Sequence, residues 1–336
     1  MDRKTTQMIK GIAILLMITH HFCSVDFFPH LNSYLIEFGI ACKICVAIYA
    51  VLSGYGYFFT KEKTLKYSLK KIWGLLKVYW ISLFTLFIPI ALFKGWEITP
   101  WKLIIQLFGL IPNLNWYAWY VFFYIFCMLV MPVLCKYRVF RFKPFINLVL
   151  ILVLPYIIEV FLHEIPYYET STIIQDLFSC FLYFPCFLIG YWFANNQIIE
   201  KFKKINLMKN SIICIVGIIT IFVMRVIVAS IAGFLLDVFY APVIICLLVN
   251  LFDNINICSI LKLFENLGKQ STGMWFFHAV FFSTYICDFF QPLLTLVSWT
   301  PIMFVWLVLL SYIGAFVYEK ILEVFCRIPN FIKWRF

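Results

Sequence analysis

Charge is scarce in this chain. Asp, Glu, Lys and Arg make up 13% of its 336 residues, while 64% are hydrophobic. Soluble domains carry about 25% charged residues and less than half apolar ones, so an ordinary soluble globular protein is excluded. Acids are scarcer than bases, 16 against 27. The first apolar run lacks a small-residue cleavage site and more such runs follow it, which argues against a cleaved leader. The C-x-x-C formed by Cys42 and Cys45 lacks further ligands nearby, so neither a metal site nor a redox site is expected there. Most of the 12 cysteines are scattered through apolar runs, where a thiol packs as a small hydrophobe. No convincing internal repeat is present.

Long apolar runs are what the chain does have. A helix needs about 20 largely apolar residues to cross the hydrocarbon core. Ten runs meet that description, roughly 10–28, 34–60, 71–93, 116–135, 144–163, 172–194, 210–232, 234–252, 271–290 and 300–325. Segment 100–111 is too short to span alone. The pattern predicts an all-α fold: one polytopic membrane helix bundle over 1–336, with about ten transmembrane helices.

The net charge of +11 invites a nucleic-acid reading, but its distribution opposes one. All but four of the 27 basic residues collect in alternate connections, such as Lys61–Lys77, Lys136–Lys143 and Lys201–Lys209. Lys94 and Lys102 fall in an opposite connection, and Lys43 and Arg225 lie inside runs. The connections opposite the basic ones hold Asp26, Glu97, Glu164, Glu169 and Asp176. This positive-inside pattern predicts a multi-pass protein of the cell membrane with both termini cytoplasmic. It predicts membrane lipid, and not nucleic acid, as the partner of the basic face.

Polar residues inside the runs are the functional candidates, because ionisable groups in a bilayer are expensive. The stretch 10–21 reads KGIAILLMITHH. Eleven helical steps at about 100° place Lys10 and His21 on one face, about 16 Å apart along the axis. His20 lies about 100° away from His21. Lys43 sits deep in the second run, and Arg225 in the seventh, with Asp237 at the next turn as a candidate partner.

Several motifs then follow in order. After Lys10, ten residues and His21, residues 43–57 read KICVAIYAVLSGYGY, with Ser53 and Gly54 in VLSGY. Residues 113–126 read NLNWYAWYVFFYIF, residues 184–194 read FPCFLIGYWFA around Gly190, and residues 267–282 read LGKQSTGMWFFHAVFF with His278. Together they resemble the acyltransferase-3 family of integral-membrane acyltransferases, which modify cell-envelope glycans. There are departures. Lys10 stands where the family usually has Arg, and Ala47 where one branch carries an acid. The family's Arg-x-x-Arg pair is replaced by Lys70 and Lys71, followed by Gly74.

The resemblance implies an O-acyltransferase. An acetyl or other small acyl group would pass from a cytoplasmic acyl-CoA, acetyl-CoA first, to a hydroxyl of a glycan or lipid-linked sugar. No metal is implied. His21 is the expected catalytic base, since imidazole titrates near working pH. Lys10, Ser53, Lys70 and Lys71 are expected on the donor side. Lys43, Trp119, Tyr120, Arg225 and His278 are expected on the acceptor side. The competing reading is a transporter or flippase of a lipid-linked sugar, for which the intramembrane charges would line a path.

Overall fold

The computed structural model describes residues 1–23, 32–110, 114–137, 143–164, 172–232, 235–255, 257–283 and 285–327. Asp26, Arg138, Arg141, Glu169, Lys333 and Arg335 lie outside the described residues. Within them the chain is helical, with no strand. Its α-helices are α1 (Arg3–Phe22), α2 (Ser33–Cys42), α3 (Cys45–Phe58), α4 (Leu65–Ser82), α5 (Ile88–Phe93), α6 (Pro100–Leu107), α7 (Trp119–Lys136) and α8 (Pro144–His163). Then come α9 (Thr172–Asn195), α10 (Ile198–Lys203), α11 (Ser211–Ala232), α12 (Asp237–Asn254), α13 (Cys258–His278), α14 (Cys287–Leu294) and α15 (Thr300–Arg327).

Among the described residues, six segments are long and apolar enough to cross a membrane: Ser33–Phe58, Leu65–Phe93, Trp116–Lys136, Ser211–Val228, Asp237–Asn254 and Thr300–Val324. The other four expected runs fall wholly or partly on α1, α8, α9 and the end of α13. In hydrocarbon every backbone N–H and C=O must find a partner within the segment, which is why apolar runs of this length form helices. Side chains mark several starts. Asp2 caps α1 by accepting from the Thr5 N–H at 2.7 Å, and Asn32 caps α2 by accepting from the Tyr34 N–H at 3.0 Å. Thr99 caps α6, whose first residue is Pro100, a position where a missing N–H costs nothing.

Two elements differ from the hydropathy reading. The second run is broken: α2 ends at Cys42 and α3 begins at Cys45, with Lys43 and Ile44 in a turn between them. The ninth run belongs to a helix that begins at Cys258, well before its apolar part. Its early residues carry Lys262, Glu265 and Lys269, which hydropathy reads as a connection, yet Leu267 and Gly268 among them are buried.

The chain forms two compact units. The first comprises Met1–Glu62, Leu134–Tyr168 and Phe178–Lys269. In it α1 packs on α2, α3 and α12, and α11 packs on α12 and α2. Two backbone approaches are closed by glycines. Gly54 of α3 lies against the Phe187 carbonyl of α9, and Gly190 of α9 against the Val51 carbonyl of α3. Gly11 of α1 meets the Phe264 carbonyl of α13, and Gly268 of α13 meets the Gln7 carbonyl of α1. A Cβ at any of these four would strike backbone, so the contacts need glycine. The VLSGY and FLIGY stretches are thus two halves of one contact.

The second unit comprises Lys63–Val133, Glu169–Leu177 and Gln270–Phe336. Here α15 packs on α4 and α14. α4 is tied to the α6 region by two bonds. The Tyr79 hydroxyl donates to the Gln106 carbonyl and the Trp80 indole to the Leu107 carbonyl, both at 2.8 Å. A single π-turn, Leu83–Phe87, separates α4 from α5.

Candidate active site

In the first unit the candidate residues gather around the break between α2 and α3. A break at membrane depth frees carbonyl groups, and those must be satisfied. Short bonds take up part of the load: Lys43 N–H donates to the Ile40 carbonyl at 3.1 Å and Ile44 N–H to the Ala41 carbonyl at 3.3 Å. Side chains from two other helices supply the rest. His20 of α1 sets its Nδ1 2.8 Å from the Gly39 carbonyl. Arg225 of α11 donates from one terminal nitrogen to the carbonyls of Ile40, at 2.7 Å, and Ala41, at 2.8 Å.

Arg225 also meets the carboxylate of Asp237, the first residue of α12. Its Nε donates to Oδ1 at 2.7 Å and its other terminal nitrogen to Oδ2 at 2.8 Å. Both side chains are 2% exposed. A permanently charged guanidinium at this depth requires such a partner, and the planar fork matches a carboxylate. One residue therefore ties α11, α12 and the broken α2 together.

The carbonyl of Gly39 can only accept, so His20 Nδ1 carries the proton. That leaves Nε2 as the basic nitrogen of the neutral ring. His21 lies beside it, with ring centroids 4.8 Å apart and planes inclined by 50°. Both rings are half-buried. Lys43, also half-buried, sits in the turn whose carbonyls His20 and Arg225 hold. The sequence treated His20 as a bystander. The signal it offered was the adjacent pair of histidines, but the carbonyl that His20 holds is exposed only by a backbone break.

At the other end of the same helix, Lys10 is half-buried. Its carbonyl accepts from the Tyr49 hydroxyl of α3 at 3.1 Å, and Gly11 beside it seats on α13. The α1 segment from Lys10 to His21 is thus fixed by α3 and α13 at one end and by α2 at the other. Ser53 is half-buried on α3, next to the Gly54 contact. Outside the apolar segments, the amino-terminal ammonium binds Glu200 of α10 and the Tyr55 hydroxyl, both at 3.0 Å. The bond from that ammonium holds the Glu200 carboxyl below the usual carboxylate range.

The second unit holds the remaining candidates. His278 is fully buried, with Nδ1 2.5 Å from the Trp275 carbonyl, so this nitrogen too carries the proton. The Trp275 indole donates to the Tyr117 carbonyl at 3.0 Å and meets the Tyr120 ring edge-on at 5.6 Å. Trp119 lies edge-on to Tyr120 at 6.1 Å. Tyr120 and His278, distant in sequence, are therefore joined through Trp275. Lys70 and Lys71 are exposed on α4, and the Lys71 ammonium lies 5.5 Å from the Tyr67 ring centre.

Two residues that the sequence reading passed over stand out in this unit. Asn115 and Ser283 are buried, yet the side-chain nitrogen and oxygen of the first and the hydroxyl of the second have no hydrogen-bond partner. Among the described residues no group of three His, Cys, Asp or Glu side chains is placed to hold a metal ion.

No curated protein and no solved structure matches the chain. A family model described as an acyltransferase domain matches residues 7–318, which takes in α1, the broken α2–α3 pair and the His278 helix. On that match the chain belongs to the acyltransferase-3 family and is a membrane acyltransferase.

Proposed function

We propose that the protein transfers an acetyl or other small acyl group from a cytoplasmic acyl-CoA to a hydroxyl of a cell-envelope glycan or glycolipid. His21 acts as the general base. It takes the proton of the acceptor hydroxyl as the hydroxyl oxygen attacks the thioester carbonyl. Collapse of the tetrahedral adduct expels the coenzyme A thiolate, which takes up a proton. A base positioned in this way contributes roughly 10²–10⁴ in rate.

The observation that carries this reading is the seating of α1 within a chain of this family. Lys10 and His21 share one helix whose ends are fixed by backbone and side-chain contacts with three others. Pre-set geometry of this kind is what a positioned base needs. Lys43 lies in the adjacent helix break and is assigned to the developing oxyanion or the acceptor. Lys10 and Ser53 of the first unit are assigned to the donor, and so are Lys70 and Lys71 of the second, whose charge would attract its phosphates. Arg225 serves the acceptor side by holding the break in place. Trp119, Tyr120 and His278 belong to the acceptor side of the second unit. In this reading the donor arrives from the cytoplasmic side of the cell membrane, where both termini lie; the positive-inside distribution of the basic connections supports it.

The test is His21→Ala in cells, with ester-linked acyl groups measured on the envelope glycans. Loss of acylation with unchanged glycan export supports the enzyme. Loss of export, with acylated precursor accumulating, supports the transporter reading instead. Unchanged acylation and export remove His21 from both.

A further inference from the structure

Burying a carboxamide without hydrogen bonds is unfavourable for each polar group left unmet, and folded proteins seldom tolerate it without a reason. Asn115 is 0% exposed and its Nδ2 and Oδ1 both go unmet. Ser283 is 6% exposed and its hydroxyl is likewise unmet. The two belong to segments that run side by side in the second unit. Leu114, just before Asn115, accepts from the Tyr285 hydroxyl at 2.8 Å. Tyr117, just after, places its hydroxyl 3.5 Å from the carbonyl of Phe282, which precedes Ser283. Two orphaned polar side chains thus flank one seam.

The same seam carries an aromatic face. Trp96, in the connection after α5, packs against Tyr285 with ring centroids 4.4 Å apart, and it remains 40% exposed. Of the charges close to it, Lys94 binds Asp288 at 2.6 Å, and Glu97 beside the ring is exposed. What the seam itself offers is an exposed ring, a carboxamide that can donate and accept, and a hydroxyl that can do both, none of them charged. This set fits a neutral polyhydroxylated ligand, whose C–H face stacks on the ring while its hydroxyls satisfy the amide.

We propose that the Trp96–Tyr285 face together with Asn115 and Ser283 forms a saccharide subsite, in which a sugar ring lies on Trp96 and its hydroxyls bond the two orphaned side chains. Asn115 is enclosed, so entry of the sugar shifts the three-residue turn Trp116–Ala118 that follows it. This rests on the acyl-acceptor reading for the identity of the sugar as substrate, but sugar binding itself can be read without acyl transfer.

The experiment uses the full chain in detergent-free nanodiscs and a panel of methyl glycosides: a hexose, an N-acetylhexosamine and a 6-deoxyhexose. Thermal unfolding is followed with and without each sugar for wild type, Asn115→Leu, Ser283→Ala, Trp96→Ala and His21→Ala. At least one sugar should raise the wild-type and His21→Ala melting temperatures. Its apparent affinity should fall at least about tenfold in each of the other three, as the loss of one good hydrogen bond or stacking contact implies. Asn115→Leu without sugar should melt higher than wild type, because the orphaned amide is gone. Failure of every sugar to shift wild type overturns the proposal. So does a shift that Asn115→Leu retains in full, which would mean that the amide serves only an internal water. Loss of acyl transfer in wild type with the Asn115-dependent shift intact would overturn the enzyme reading and leave this subsite standing.

Discussion

Arg225 of α11 and Asp237 of α12 form a buried two-bond ion pair, at 2.7 and 2.8 Å. The same guanidinium holds the Ile40 and Ala41 carbonyls at the break in the second helix. Removing one partner of such a pair strands a charge in a dry site. Asp237→Ala should therefore destabilise the protein by about 3–5 kcal/mol. The double variant Arg225→Met/Asp237→Leu should recover part of that loss but not all, because the Ile40 and Ala41 carbonyls lose the guanidinium and keep only their backbone donors. Chemical or thermal unfolding in nanodiscs checks this. A double variant as stable as wild type would show that the two carbonyls do not need the guanidinium.

The glycine contacts make a sharper stability prediction, because they differ from one glycine to the next. Gly54→Ala and Gly190→Ala each drive a methyl into a facing backbone carbonyl, as do Gly11→Ala and Gly268→Ala. Overpacking of this kind costs about 1–3 kcal/mol, and more where backbone must move. Gly56 and Gly74 have nothing within reach of an added Cβ. Both lie in helices, so Gly56→Ala and Gly74→Ala should be neutral or stabilising by up to about 1 kcal/mol. Equal effects in the two groups would contradict the helix contacts described here.

His20 and His21 should separate by the kind of damage each variant does. His20→Ala removes the donor to the Gly39 carbonyl, so it should lower stability by about 1–3 kcal/mol as well as activity. His20→Asn, which keeps a donor, should recover more of the stability than His20→Ala retains. His21→Ala should reduce turnover by roughly 10²–10⁴, a loss out of proportion to any change in its melting temperature. Paired melting and turnover measurements decide it. A His20→Ala protein of full stability would remove its place at the break.

Much of the fold was legible in the sequence, because hydropathy reports helix length and charge reports which connections stay polar. The pairing of Arg225 with Asp237 was legible too, since a guanidinium in an apolar run must find the nearest acid. The break at Lys43 was not: the residues around it are as apolar as those of an unbroken span, and a turn leaves no mark on hydropathy. The early start of α13 at Cys258 was hidden for the opposite reason, because its charged first turns resemble a connection and only Leu267 and Gly268 in them are buried. Gly190 suggested a close helix contact, but its partner near Gly54 is fixed only by tertiary packing. For the site, helical spacing set His21 on one face with Lys10, and the family resemblance brought in Trp119 and Tyr120. Asn115, four residues before Trp119, passed unnoticed because a single carboxamide carries no pattern; only its burial without a partner sets it apart.

The amino-terminal end gives a pH dependence. The Thr5 backbone N–H holds the Asp2 carboxyl below its ordinary value. A depressed carboxylate contributes stability above its unfolded pKa, and the contribution is lost as pH falls through the folded one. Wild type should therefore lose more stability than Asp2→Ala on going from neutral to strongly acidic pH. At neutral pH Asp2→Ala should cost about 1 kcal/mol as the α1 cap is removed. Parallel pH profiles for the two proteins would show that the cap contributes nothing.

The most direct measurement of the central claim is single-turnover acyl transfer by the purified chain in nanodiscs, with radiolabelled acetyl-CoA and envelope glycan as acceptor, comparing wild type with His21→Ala at matched folding. The account predicts ester-linked label on the glycan with wild type and a fall of roughly 10²–10⁴ in rate with the variant. Label transferred at the wild-type rate by His21→Ala would contradict it.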